Sequence, residues 1–170
     1  MNHLASAVEQ SLASGNHYGA LAVALTLPDI CGWVEGVRHR SKDRYLSFFD
    51  AYMAILYKHP VGAQGTVTTF LSGEDFYALR CSVLHEGRDD ITAQKARQTL
   101  ERFQFVLPPS DWTVHRNLFG RGALQLQVDL FCREILTGVY SFLAGIEAGS
   151  PEAERMAMLG RIHDLNGVAL

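Results

Sequence analysis

Apolar residues return at helical spacing over most of this chain. Leu4, Val8 and Leu12 recur every four residues, which predicts a short amphipathic helix over 2–14, ended by Gly15-Asn16. The run from His17 to Gly36 is apolar nearly all round, as a central helix is, and Pro28 inside it predicts a kink or a division. Tyr45, Phe48, Phe49, Tyr52, Met53 and Leu56 follow i, i+3, i+4, i+7, i+8, i+11, the cleanest helical period in the sequence. That stripe predicts a helix over 41–57, opened by Ser41, whose aromatics pack in the core rather than stack on bases. Pro60, Gly62 and Gly65 mark 58–70 as a loop.

The best-punctuated helix is 72–86. Ser72 is a good N-cap, Asp75 completes the spacing of a capping box, and Leu71 and Phe76 stand where a hydrophobic staple forms. Gly87 suits the left-handed residue that ends a helix. A polar stretch follows, and then the period changes. Phe103, Phe105 and Leu107 alternate with polar or smaller residues up to Pro108-Pro109, and Trp112 to Phe119 and Leu124 to Val128 give two further candidate strands. Asp129 then opens a long helix with a wide apolar face through Leu143, and Ser150-Pro151 starts a short terminal helix over 151–163. The expected fold is therefore mainly α. It is a helical bundle with a small antiparallel β-meander inserted near 101–128, in a single domain over 1–170.

Composition changes this picture little. Nearly half the residues are apolar and the formal net charge is −3, so any nucleic-acid contact must be a local basic patch. The first residues, MNHLASAVEQ, lack the basic and apolar regions of a signal peptide, and no apolar run is long enough to span a membrane. Cys31, Cys81 and Cys132 are odd in number and widely spaced, which fits three reduced thiols and a cytoplasmic location. No spacing suggests zinc, and no cofactor is expected.

Candidate chemistry concentrates on the helix over 72–86. Arg80 falls within the apolar arc of Phe76, Tyr77, Leu79, Val83 and Leu84, while His85 points roughly the opposite way. A guanidinium on such a face needs an anionic partner or a wet cleft. One reading pairs Arg80 with a core acid, Asp29 first and Glu35 second. The other makes Arg80 a phosphate-binding group beside a catalytic histidine. Weaker candidates are His115-Arg116, read as part of a solvated strand face, and Arg38-His39-Arg40 at a helix end. Cys81, one turn before His85, is conceivable as a thiolate–imidazole partner, and His163 has no evident partner.

The segment Arg80-Cys81-Ser82-Val83-Leu84-His85 resembles the R-x(4–6)-H motif of the HEPN superfamily, small helical domains many of which are metal-independent endoribonucleases. The likeness covers these few residues and a helical context over about 2–146. It implies RNA as the ligand, Arg80 as a phosphate clamp and His85 as the acid–base group. It further implies a homodimer, and for toxin-like members an antitoxin-like partner. On a regular helix Arg80 and His85 lie about 140° apart. A single copy would form a good site only if the helix were distorted at its end.

Overall fold

The computed structural model describes residues 1–37, 40–120 and 122–162. The sequence motifs at Arg38, His39 and His163 lie outside the described residues. Helices α1 (Asn2–Ala13), α2 (His17–Ala24), α3 (Leu27–Glu35), α4 (Ser41–Tyr52), α5 (Gly73–Cys81), α6 (Val128–Ala144) and α7 (Pro151–Ala157) surround one continuous apolar core. The apolar run 17–36 is divided rather than kinked. The break falls at Leu25-Thr26, and Pro28 sits in the first turn of α3, where its missing N–H costs nothing. The Thr26 hydroxyl donates to the Val23 carbonyl across that break.

Phe76 of α5 is the centre of the core. Its ring lies 5.0 Å from Tyr45, 5.7 Å from Phe49 and 5.9 Å from Phe131. The aromatic stripe of α4 is thus core, as its period suggests. α4 stops at Tyr52, and a 3₁₀ turn, Ala54–Tyr57, carries the chain on. α6 approaches α4 closely at Gly138, where an added Cβ would meet Phe48 Cζ at 2.9 Å.

The expectation of a helical bundle with one antiparallel meander is overturned. Helix makes up 52% of the chain and strand about 14%, in two small sheets, so this is a mixed α/β fold. The first sheet, a hairpin of β1 (Lys58–Val61) and β2 (Thr66–Thr69), lies where a loop is expected. Both strands are almost wholly exposed, so they carry no alternation of apolar and polar residues. Gly62 and Gly65 are turn residues with φ of 75° and 62°. The Thr66-Val67-Thr68-Thr69 run was the available strand signal.

The second sheet comprises β3 (Arg102–Val106), β4 (Asn117–Phe119) and β5 (Ala123–Gln127), in the order β3-β5-β4. β3 and β5 are parallel, with Phe103 beside Leu124 and Phe105 beside Leu126. The inner face buries Phe103, Leu124 and Leu126. The outer face carries a polar ladder in which Asn117 donates to Gln125 and Gln125 to Gln104. β5 runs directly into α6, so the sheet is continuous with the helical core and not an inserted module.

Candidate active site

α5 starts as its sequence implies. The Ser72 hydroxyl accepts from the Asp75 N–H at 3.0 Å, and Leu71 and Phe76 are fully buried. The second half of the capping box does not form. The Asp75 carboxylate, fully buried, instead accepts from the Ser72 hydroxyl, the Thr99 hydroxyl and the backbone N–H groups of Gln98, Thr99 and Leu100. It therefore pins the segment before β3 against the first turn of α5.

The end of α5 is the unusual part. After Cys81 the helix widens into a π-helical turn, Ser82–Glu86, and stops at Gly87 with φ of 66°. π-turns are rare and cluster at functional sites. Here the wider turn changes which residues share a face. Arg80 and His85, five positions apart, are brought together, with Arg80 Nη1 2.7 Å from His85 Nε2. The regular helical step would have separated them by about 140°. The guanidinium is always protonated, so it donates, and His85 Nε2 must accept with its lone pair.

The expected ion pair of Arg80 with Asp29 or Glu35 does not form. Asp29 accepts from Arg44 Nε at 2.6 Å, and Glu35 accepts from the Ser47 hydroxyl at 3.3 Å. Among the described residues Arg80 makes no salt bridge, and its buried Nε has no hydrogen-bond partner. The charge is felt locally. Burial pushes the Tyr45 hydroxyl well above its ordinary pKa, and the Arg80 charge pulls against that shift. Tyr77 is raised by burial and by the neighbouring Cys81 thiol, and Arg80 again opposes the rise. Cys81 thus lies beside Tyr77, and the thiolate–imidazole pairing with His85 is not formed.

A second cluster of the same residue types surrounds Glu134 of α6. His115 Nε2 donates to Glu134 Oε1 at 2.9 Å, Arg116 donates to the same oxygen through Nε at 2.9 Å and through Nη2, and the Tyr57 hydroxyl donates to Oε2. The other nitrogen of His115 accepts the backbone N–H of Gln127, so this imidazole is saturated on both sides. The guanidinium carbon of Arg116 also lies 5.3 Å from the centre of the Tyr57 ring. Burial pushes the Glu134 carboxyl up, but the hydrogen bonds from His115, Tyr57 and Arg116 outweigh it and hold it below the usual range. His115-Arg116 is accordingly not a solvated strand face: the pair precedes β4, and His115 is 8% exposed. Arg116 has φ of 55°, the only positive φ outside glycine among the described residues, a strained conformation that its bonds to Glu134 hold in place.

The sequence reading missed Glu134 and Ser82. Glu134 is a lone acid beside Phe131 and Ile135 on a mostly apolar helix face, which is the signal that could have exposed it. Ser82 is buried among the apolar residues of its turn, and nothing in its neighbours announces that. All three cysteines are free. Burial pushes the thiols of Cys31 and Cys132 up to about 12. Among the described residues no group of three or more His, Cys, Asp or Glu side chains is placed to hold a metal, and no helix is long and apolar enough to cross a membrane. No protein-family model, curated protein or solved structure matches the chain.

Proposed function

We propose that the chain is a HEPN-like RNA-binding protein that cleaves single-stranded RNA without a metal, using Arg80 and His85. The observation that carries this reading is the contact of Arg80 Nη1 with His85 Nε2 at 2.7 Å, on a π-turn and with no carboxylate among the described residues on the guanidinium. A cation so placed is available to an anionic ligand, and His85 is exposed beside it.

The chemistry follows from the two groups. A phosphodiester entering the site takes the guanidinium N–H groups, which hold its non-bridging oxygens as charge builds on them. Arg80 then releases His85 Nε2, whose lone pair accepts the proton of the RNA 2′-hydroxyl as that oxygen attacks phosphorus. The P–O5′ bond breaks as the 2′-oxygen bonds to phosphorus, the departing 5′-oxygen takes a proton from water to end as a 5′-hydroxyl, and a 2′,3′-cyclic phosphate remains. The competing reading, a non-catalytic interaction domain with Arg80 as a structural charge, loses its main support because Arg80 pairs with no acid among the described residues.

The same proposal includes a homodimer, in which two Arg80–His85 pairs face one RNA strand, a cytoplasmic location, and an antitoxin-like partner of unknown type. The test is the chemistry of the products. Purified protein in EDTA should cut single-stranded RNA to fragments ending in 2′,3′-cyclic phosphate and leave DNA of the same sequence intact, because DNA lacks the attacking hydroxyl. Cut DNA, or RNA products with 3′-hydroxyl ends, would rule out this mechanism.

A further inference from the structure

The π-turn that joins Arg80 to His85 is not held by its own helix alone. Ser82 is, with Asp75, one of two fully buried polar residues among the described residues. Its carbonyl accepts from the backbone N–H of Gly87 and, at 3.2 Å, from that of Arg88. Its hydroxyl donates to the Asp90 carbonyl at 2.6 Å. Asp90 is itself fixed to the second sheet. It bridges to Arg102, the Asp89 carbonyl accepts from Phe103 N–H at 2.8 Å, and Ile91 N–H donates to the Glu101 carbonyl at 2.8 Å. The Asp75 carboxylate holds the far end of the same loop at Gln98–Leu100. A chain of bonds therefore runs from the sheet through Asp90 to Ser82 and the widened turn.

We propose that Ser82 is the positioning residue of the Arg80–His85 site: by tying the turn to the sheet-anchored Asp90, it keeps the helix in the π register in which the two side chains meet. Its catalytic meaning rests on the reading of Arg80 and His85 as the reacting pair; its geometry does not. The Gly87 N–H is shared between the Ser82 carbonyl and, at 3.2 Å, the Val83 carbonyl. In a regular α register it would keep Val83 alone, His85 would turn away from Arg80, and the pair would be lost. The three-stranded sheet thus has a role, which is to hold the loop that sets the register of the site.

The test reads His85 in the ligand-free protein, so it is independent of any RNA assay. Long-range ¹H–¹⁵N correlation spectra identify which imidazole nitrogen carries the proton. Wild type should show Nδ1 protonated and Nε2 accepting from Arg80. Ser82→Ala should shift His85 to the Nε2-protonated form preferred by a free imidazole, and Ser82→Thr, which keeps the hydroxyl, should restore the wild-type signature. If wild type shows Nε2–H, or Ser82→Ala leaves the tautomer unchanged, the proposal is overturned. Should Ser82→Ala not fold, wild type in sub-denaturing urea decides the matter. The His85 signature should vanish together with the exchange protection of the Ile91 amide, and a signature outlasting that protection would contradict the coupling. Where RNA cleavage is present, Ser82→Ala should lower kcat about 10²-fold, as a misplaced catalytic group does, with KM little changed.

Discussion

Among the described residues, arginine and histidine meet at two places, and the two places differ in one component. At Glu134 a carboxylate stands at the centre. Arg116, His115 and Tyr57 all donate to it, and the free nitrogen of His115 is taken by the Gln127 N–H. Among the described residues no carboxylate pairs with Arg80. The hydrogen-bond partner of its guanidinium there is the lone pair of His85, and its buried Nε has none. The first arrangement is complete, and adding an anion would set it against Glu134. The second is incomplete, and an anion would complete it. Residue type does not separate a saturated cluster from an open one. The presence or absence of an acid does.

That contrast is easiest to break through stability. Glu134→Ala should be the most damaging substitution, because it leaves the partly buried Arg116 guanidinium, the His115 N–H and the Tyr57 hydroxyl without their acceptor; a loss of about 3–5 kcal/mol is expected in urea denaturation. A loss below about 1 kcal/mol would show the cluster to be loosely solvated, where surface ion pairs usually fall. The pH dependence should point the same way. The Glu134 carboxyl is held below its ordinary pKa in the folded protein, so the unfolded chain binds its proton first as pH falls. Its contribution is complete above the normal glutamate range and disappears as pH drops through the lowered folded value. Denaturation midpoints of wild type and Glu134→Gln should therefore converge on acidification, and a constant gap down to strongly acid pH would contradict the assignment.

Arg80→Ala is the matching perturbation at the other cluster. If Arg80 were paired with a core acid, its removal would cost about 3–5 kcal/mol through the stranded carboxylate. With Asp29 bound to Arg44 there is no such acid among the described residues, and the cost should be about 1 kcal/mol or less. Comparing Arg80→Ala with Glu134→Ala in one denaturation series measures the difference between the two regions directly.

Much of the architecture was legible because helical periods are strong signals. The stripe from Tyr45 to Met53, the burial of Leu71 and Phe76, and the apolar face of α6 each read correctly from spacing alone. The hairpin of β1 and β2 did not, because strands exposed on both faces leave no apolar alternation, and its glycines look like those of any loop. The parallel pairing of β3 with β5 was hidden because alternation reports which side chains share a face and says nothing of strand order. The site was half legible. Arg80 and His85 could be named from their spacing, and the need for a distorted helix end followed from the 3.6-residue turn. Where the distortion comes from was not visible. It depends on Ser82 and the Asp90 carbonyl eight residues on, and a backbone acceptor leaves no trace in residue identity. Arg116 and Glu134 lie 18 positions apart, and only the fold brings them together.

The central claim is that the open Arg80–His85 pair is the reactive site. It is tested most directly by comparing RNA cleavage by wild type and His85→Ala in EDTA, at matched circular dichroism and oligomeric state. His85 is exposed and its hydrogen-bond partner among the described residues is Arg80 alone, so its removal should alter stability by no more than about 0.5 kcal/mol. The account predicts cleavage of single-stranded RNA by wild type and its loss in His85→Ala. Equal cleavage by both proteins, or an RNA panel left intact by wild type, would contradict it.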